Sequence, residues 1–68
     1  MRDRELEIMV LVSLAYGPRD EGVMLRKLQS VIPSLARTDF AAALAALVED
    51  DRVEFDIATR RWGLRKST

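Results

Sequence analysis

From position 53 onward the side chains alternate in character. Val53, Phe55 and Ile57 are interleaved with Glu54 and Asp56, and Trp62 and Leu64 with Arg61, Gly63 and Arg65. A period of two is the pattern of half-buried strands, so the two runs predict a hairpin over 53–57 and 62–66. The hairpin follows directly on a segment of helical period, 38–49, from which it is separated by the acidic turn at Asp50 and Asp51. Matching the apolar faces sets an expected register: Ile57 opposite Trp62, Phe55 opposite Leu64 and Glu54 opposite Arg65, with 58–61 as the loop. Arg60 and Arg61 then stand at or near the tip. Trp62 reads as a core side chain rather than a ligand platform, because its neighbours fit the inward face. A pair between Arg65 and Glu54 would contribute only about 0.2–1 kcal/mol and would leave Arg65 less free for phosphate than Lys66.

A length of 68 residues fits one domain, 1–68, near the size at which a core only just outweighs chain entropy. Lys plus Arg equals Asp plus Glu, 11 of each, so the positive excess of a strong nucleic-acid binder is missing. The neutrality is blockwise: residues 1–22 carry a net −2, 23–48 +2, 49–56 −4 and 57–68 +4. With neither Cys nor His, thiolate and imidazole metal sites, redox motifs and His-based catalysis are excluded, and no cofactor is expected. The longest apolar run, 8–12, is far short of a bilayer span, and Asp3, Glu5 and Glu7 do not fit a signal peptide, so a cytoplasmic location without membrane contact is the expectation. Asp50 and Asp51 are adjacent acids at a helix end, a solubilising pattern. Without a Gly-rich phosphate loop or the bulk for a shaped pocket, the chain is not expected to be an enzyme or to take a small-molecule substrate.

Three helices are predicted before the hairpin, over about 3–16, 23–32 and 38–49. The first has acids in its opening turn, where the helix dipole favours them, and ends at Gly17-Pro18. Ile8, Leu11, Val12 and Ala15 form one apolar stripe, expected to face the core. Leu6, Val10 and Leu14, with Met9 beside them, form a second stripe on the opposite side. That second stripe is either covered by the hairpin or C-terminus or forms a homodimer seam. The second helix turns Leu25, Leu28 and Ile32 inward and Arg26, Lys27 and Gln29 to solvent, and stops at Pro33. Thr38 followed by Asp39 predicts the cap and first turn of the third helix. Its buried side should be Phe40, Leu44, Leu47 and Val48, with Asp39, Ala42, Ala45 and Ala46 partly exposed.

The spacing from Leu28 through Ile32, Leu35 and Phe40 to Leu44 and Leu47 resembles the helix-turn-helix core of winged-helix proteins, and the segment from Val53 resembles their wing. The resemblance covers nearly the whole chain and rests on hydrophobic spacing and element order. In that family a short loop follows the third helix, often with Gly where this chain has Asp51. The fold class implied is mainly α (α+β): a three-helix winged helix-turn-helix with a C-terminal two-stranded β-hairpin wing. The function implied is that of a transcriptional or accessory regulator on double-stranded DNA, with the third helix in the major groove and the wing on the backbone or minor groove. The residues matching those positions are Arg37 and Thr38 at the start of the third helix, Arg60 and Arg61 in the wing, Lys66 beyond it, and Arg26 and Lys27 on the second helix. The third helix itself departs from the pattern. Asp39, Ala41, Ala42, Ala45 and Ala46 include no Arg, Lys, Asn or Gln for paired hydrogen bonds to base edges.

The competing reading is a winged-helix protein-interaction module, or a small subunit of a larger complex, that does not bind DNA. Small side chains on the third helix permit close approach of a partner helix, overall neutrality suits a protein surface, and the acidic block 49–56 repels a phosphate backbone.

Overall fold

The computed structural model describes residues 3–65. Lys66 lies outside them. Three helices, α1 (Arg4–Ala15), α2 (Glu21–Val31) and α3 (Arg37–Glu49), precede strands β1 (Val53–Asp56) and β2 (Arg61–Leu64), the element order expected of a three-helix core with a β-hairpin wing. No helix among the described residues is long and apolar enough to cross a membrane.

The helix starts differ in a way that matters for the site. The Leu6 N–H donates to Asp3 Oδ1 at 3.0 Å, and the Gly22 N–H to Asp20 Oδ1 at 2.8 Å. Each carboxylate thus satisfies one of the donors a helix leaves open at its first turn. Capping by Asp20 starts α2 two residues ahead of the expected boundary. Helix α3 starts one residue early, with Ala36 in the cap position and no side-chain cap; Thr38 is already inside the first turn. The reason lies in the turn before it, where the Leu35 N–H bonds to the Ile32 carbonyl and the Phe40 N–H to the Ala36 carbonyl, with Leu35 and Phe40 both buried.

Core packing reverses the expected roles of the two stripes on α1. Leu6, Val10 and Leu14 are buried together with Met24, Leu28, Leu35, Phe40, Ala43, Leu44, Leu47 and Val53, and Met9 packs against this cluster. Of the two alternatives for Leu6, Met9, Val10 and Leu14, the homodimer seam fails and cover by the hairpin holds in part: they belong to the chain's own interior, because α1 lies mainly against α3 and against β2 of the hairpin. Ile8, Val12 and Ala15 of the expected core stripe are exposed, and only Leu11 is partly buried. On α3, Ala43 takes the inward place expected of Val48, which is exposed.

The end of α3 explains how the chain enters the hairpin. The Asp51 N–H reaches the Val48 carbonyl at 3.0 Å and the Arg52 N–H the Leu47 carbonyl at 2.9 Å. These are the paired bonds that close a helix through one left-handed residue. Asp51 is that residue, with φ 58°, at the position where glycine is common in the resembled family.

The hairpin register is Val53 with Leu64, Glu54 with Gly63, Phe55 with Trp62 and Asp56 with Arg61. The same residues share each face, since the shift from the expected pairing is even, but of the apolar face only Val53 is buried and Trp62 partly buried, Phe55 and Leu64 being exposed, and the turn starts one residue earlier. Asp56 causes this: its Oδ1 accepts from the Ala58 N–H at 2.9 Å and its carbonyl from the Arg60 N–H at 2.7 Å. Ile57 becomes a loop residue, 82% exposed. Glu54 no longer faces Arg65, whose guanidinium instead meets Asp51 Oδ1 at 3.5 Å.

Trp62 is partly buried against the core and ties the wing to the body. Its N–H and carbonyl are both exchanged with Arg19, at 2.7 and 2.8 Å, which makes a third, one-residue rung on the outer edge of β2. A residue that spends both backbone groups on one neighbour forms a non-hydrogen-bonded pair with the other, where side chains come closest. The Phe55 and Trp62 rings accordingly meet at 5.1 Å between centroids, tilted by 55°.

Candidate nucleic-acid interface

The cations singled out from sequence fall into separate groups. Arg60 occupies the last position of the wing loop, in a left-handed conformation with φ 56°. Arg61 opens β2 directly across from Asp56. Its neighbour's carboxylate is engaged by the Ala58 N–H, and among the described residues neither Arg60 nor Arg61 has an ion-pair partner. Both are exposed.

Arg37 and Thr38 open α3 and are also exposed. Their backbone matters as much as their side chains. The first helical bond of α3 comes from Phe40 and Ala36 supplies no side-chain cap, so the N–H groups of residues 37–39 have no hydrogen-bond partner among the described residues. Open donors at a helix start favour an anion, as does the dipole behind them. Further along α3, Thr38, Ala42 and Ala45 fall in one exposed line with Ala41 beside it. Beyond the Thr38 hydroxyl, that face offers a smooth methyl surface and no side chain that can make a bidentate pair with a base edge.

Arg26 and Lys27 are not one patch. Consecutive helix positions diverge by about 100°, and Lys27 lines an open groove against α1 with Ile8, Met9 and Val12. Arg26 is exposed and does not line that groove, while the Gln29 amide donates to the Leu35 carbonyl at 3.1 Å.

Two features were missed by reading the sequence. One is Arg19, whose backbone completes the wing sheet and whose Nε donates to the Ser13 carbonyl at 2.9 Å; a single-residue rung leaves no periodic trace. The other is the groove itself, flanked by the exposed stripe of α1. The signal for it is the first apolar stripe, with Ile8 and Val12, which the sequence reading turns toward the core and the structure leaves outside.

Comparison with family models, with curated proteins and with solved structures finds no match to this chain.

Proposed function

We propose that the chain is a small winged-helix DNA-binding protein, a transcriptional or accessory regulator, that holds the duplex by its backbone rather than by a base code. The observation that carries this reading is Arg60. A left-handed residue at the end of a four-residue turn is a position suited to glycine, and an L side chain there costs roughly 1–2 kcal/mol. A guanidinium at that position, exposed and without an ion-pair partner among the described residues, makes sense as a group kept for contact with an external anion. Arg61 beside it and the open N–H groups around Arg37 and Thr38 supply further contacts of the same chemistry. Bases would be met by Thr38, Ala41, Ala42 and Ala45 alone, so discrimination would come from shape, thymine methyl contact and at most one Thr38 hydroxyl bond.

Titration of a mixed-sequence duplex by fluorescence anisotropy at several salt concentrations tests this. Binding should weaken steeply with salt. Replacing Arg60 and Arg61 together with Ala should lower the slope of log K against log salt by about 1.8, on the basis of about 0.9 per phosphate contact, and should do so equally for unrelated sequences. An unchanged slope removes the wing from the interface.

The smooth outer face of α3 supports the second reading, docking on a protein partner. No binding to duplex at low salt is the result that favours it.

A further inference from the structure

We propose that two copies of this chain pair through the outer face of α1, packed antiparallel about a two-fold axis at Val12. Ile8 is 58% exposed, Val12 53%, Tyr16 81% and Val31 68%. All four line the groove of about 500 Å³ between α1 and α2. At ordinary side-chain areas they leave roughly 450 Å² of apolar surface per copy. That is close to the apolar share of a standard interface, which covers about 800 Å² per partner.

Charge identifies the occupant. The groove's charged lining residues are Arg19 and Lys27, with no acid among them. It therefore suits an apolar helix that carries a carboxylate along its stripe, and α1 is such a helix. Glu5 is exposed and lies on the same side as Ile8 and Val12, at helical spacing.

The positions are symmetric about Val12. Ile8 and Tyr16 lie four residues to either side, and Glu5 and Arg19 lie seven to either side. A two-fold interface requires one patch to complement itself. An antiparallel pairing about Val12 meets that requirement by setting Val12 against Val12, Ile8 against Tyr16, and Glu5 toward Arg19. Arg19 is prepared for this role, because its backbone is fixed to Trp62 and its Nε is held on the Ser13 carbonyl, beside the last turns of α1. Lys27 then belongs to the seam rather than to the DNA-facing set. The pairing uses neither the wing nor the start of α3, so it stands or falls independently of DNA binding.

The native chain has no cysteine, which makes disulfide trapping clean. Val12→Cys should form a covalent dimer on mild oxidation. Tyr16→Cys alone should not, whereas a mixture of Ile8→Cys and Tyr16→Cys chains should link to each other. Sedimentation velocity of the unmodified chain should show a concentration-dependent dimer. Glu5→Arg should weaken that dimer by about tenfold or more through repulsion from Arg19 and Lys27, and adding Arg19→Glu should restore it, with circular dichroism confirming that each variant is folded. A chain that sediments as a monomer at its highest soluble concentration overturns the proposal. So does a dimer that persists while Val12→Cys fails to link, since its seam must then lie elsewhere.

Discussion

Arg60 offers a test in which stability and binding should move in opposite directions. Its φ of 56° places an L residue where the carbonyl and Cβ crowd each other, at roughly 1–2 kcal/mol. Arg60→Gly relieves that crowding but gives the unfolded chain extra freedom worth about 0.5–1 kcal/mol. The net expectation is a stabilisation of about 0.5–1 kcal/mol. No described ion pair is lost, and the turn bonds donated by the Arg60 and Ala58 N–H groups to Asp56 use backbone donors that glycine preserves. At about 4–8 °C per kcal/mol for a domain of this size, Tm should rise by roughly 2–8 °C.

Arg60→Ala is the necessary companion, because it removes the charge while retaining the left-handed strain. Its Tm should stay within the range of an ordinary surface substitution, about 0.5 kcal/mol. The two variants should nevertheless lose DNA affinity alike, each lowering the salt slope by about 0.9. Thermal unfolding followed by far-UV circular dichroism, together with anisotropy titrations at several salt concentrations, reads both effects. If Arg60→Gly melts no higher than Arg60→Ala, backbone strain at the tip is not what the geometry implies. If both bind like the parent, Arg60 is not a phosphate contact, and its occupation of a glycine-like position has no explanation in DNA binding.

Val10→Glu should unfold the domain, since it buries a carboxylate in the core at a cost of several kcal/mol. Val12→Glu, on the outer stripe, should change Tm little and yield a monomer by sedimentation. At the helix starts, Asp20→Ala should cost about 1 kcal/mol in a urea melt through loss of its cap, whereas Thr38→Ala should fall within about 0.5 kcal/mol; a Thr38 effect as large as that of Asp20 would restore the capping role expected from sequence.

These contrasts mark how far the sequence could be read. The element order and the faces of the hairpin were legible because alternation leaves little freedom. A shift by two residues preserves every face, so the pattern could not choose between registers. The choice fell to the Asp56 carboxylate and its local bond to Ala58, a turn effect that periodicity does not register. Helix α1 was harder for a different reason. It is apolar nearly all round, with Leu6, Val10 and Leu14 on one side and Ile8, Val12 and Tyr16 on the other, and spacing alone cannot say which side meets α3. The acids give no guide either, since Glu5 lies on the outer stripe while Glu7, at helical spacing with Val10 and Leu14, is buried on the inner one. The cations of the candidate site were all visible as residues. Their grouping was not: that Lys27 lines the groove against α1 while Arg26 does not depends on where α2 sits.

The hairpin's own charges restrict how it could approach a duplex. Glu54 and Asp56 stand directly across from Gly63 and Arg61, so between the tip and the Arg52–Arg65 rung at the base the stem carries two carboxylates on the same face as Arg61. Laid lengthwise along a phosphate backbone, that face would set Glu54 against like charge. Presented tip first, the hairpin leads with Arg60 and Arg61, while the Asp56 carboxylate is occupied within the turn by the Ala58 N–H. The acidic block 49–56 is thus compatible with a wing that touches the backbone at its end and stands off along its stem. On the proposed reading, phosphate contact would concentrate at the wing tip and the start of α3, and the α3 face, with Thr38 as its one hydroxyl, would add no bidentate readout. Binding built this way follows salt and duplex shape far more than sequence.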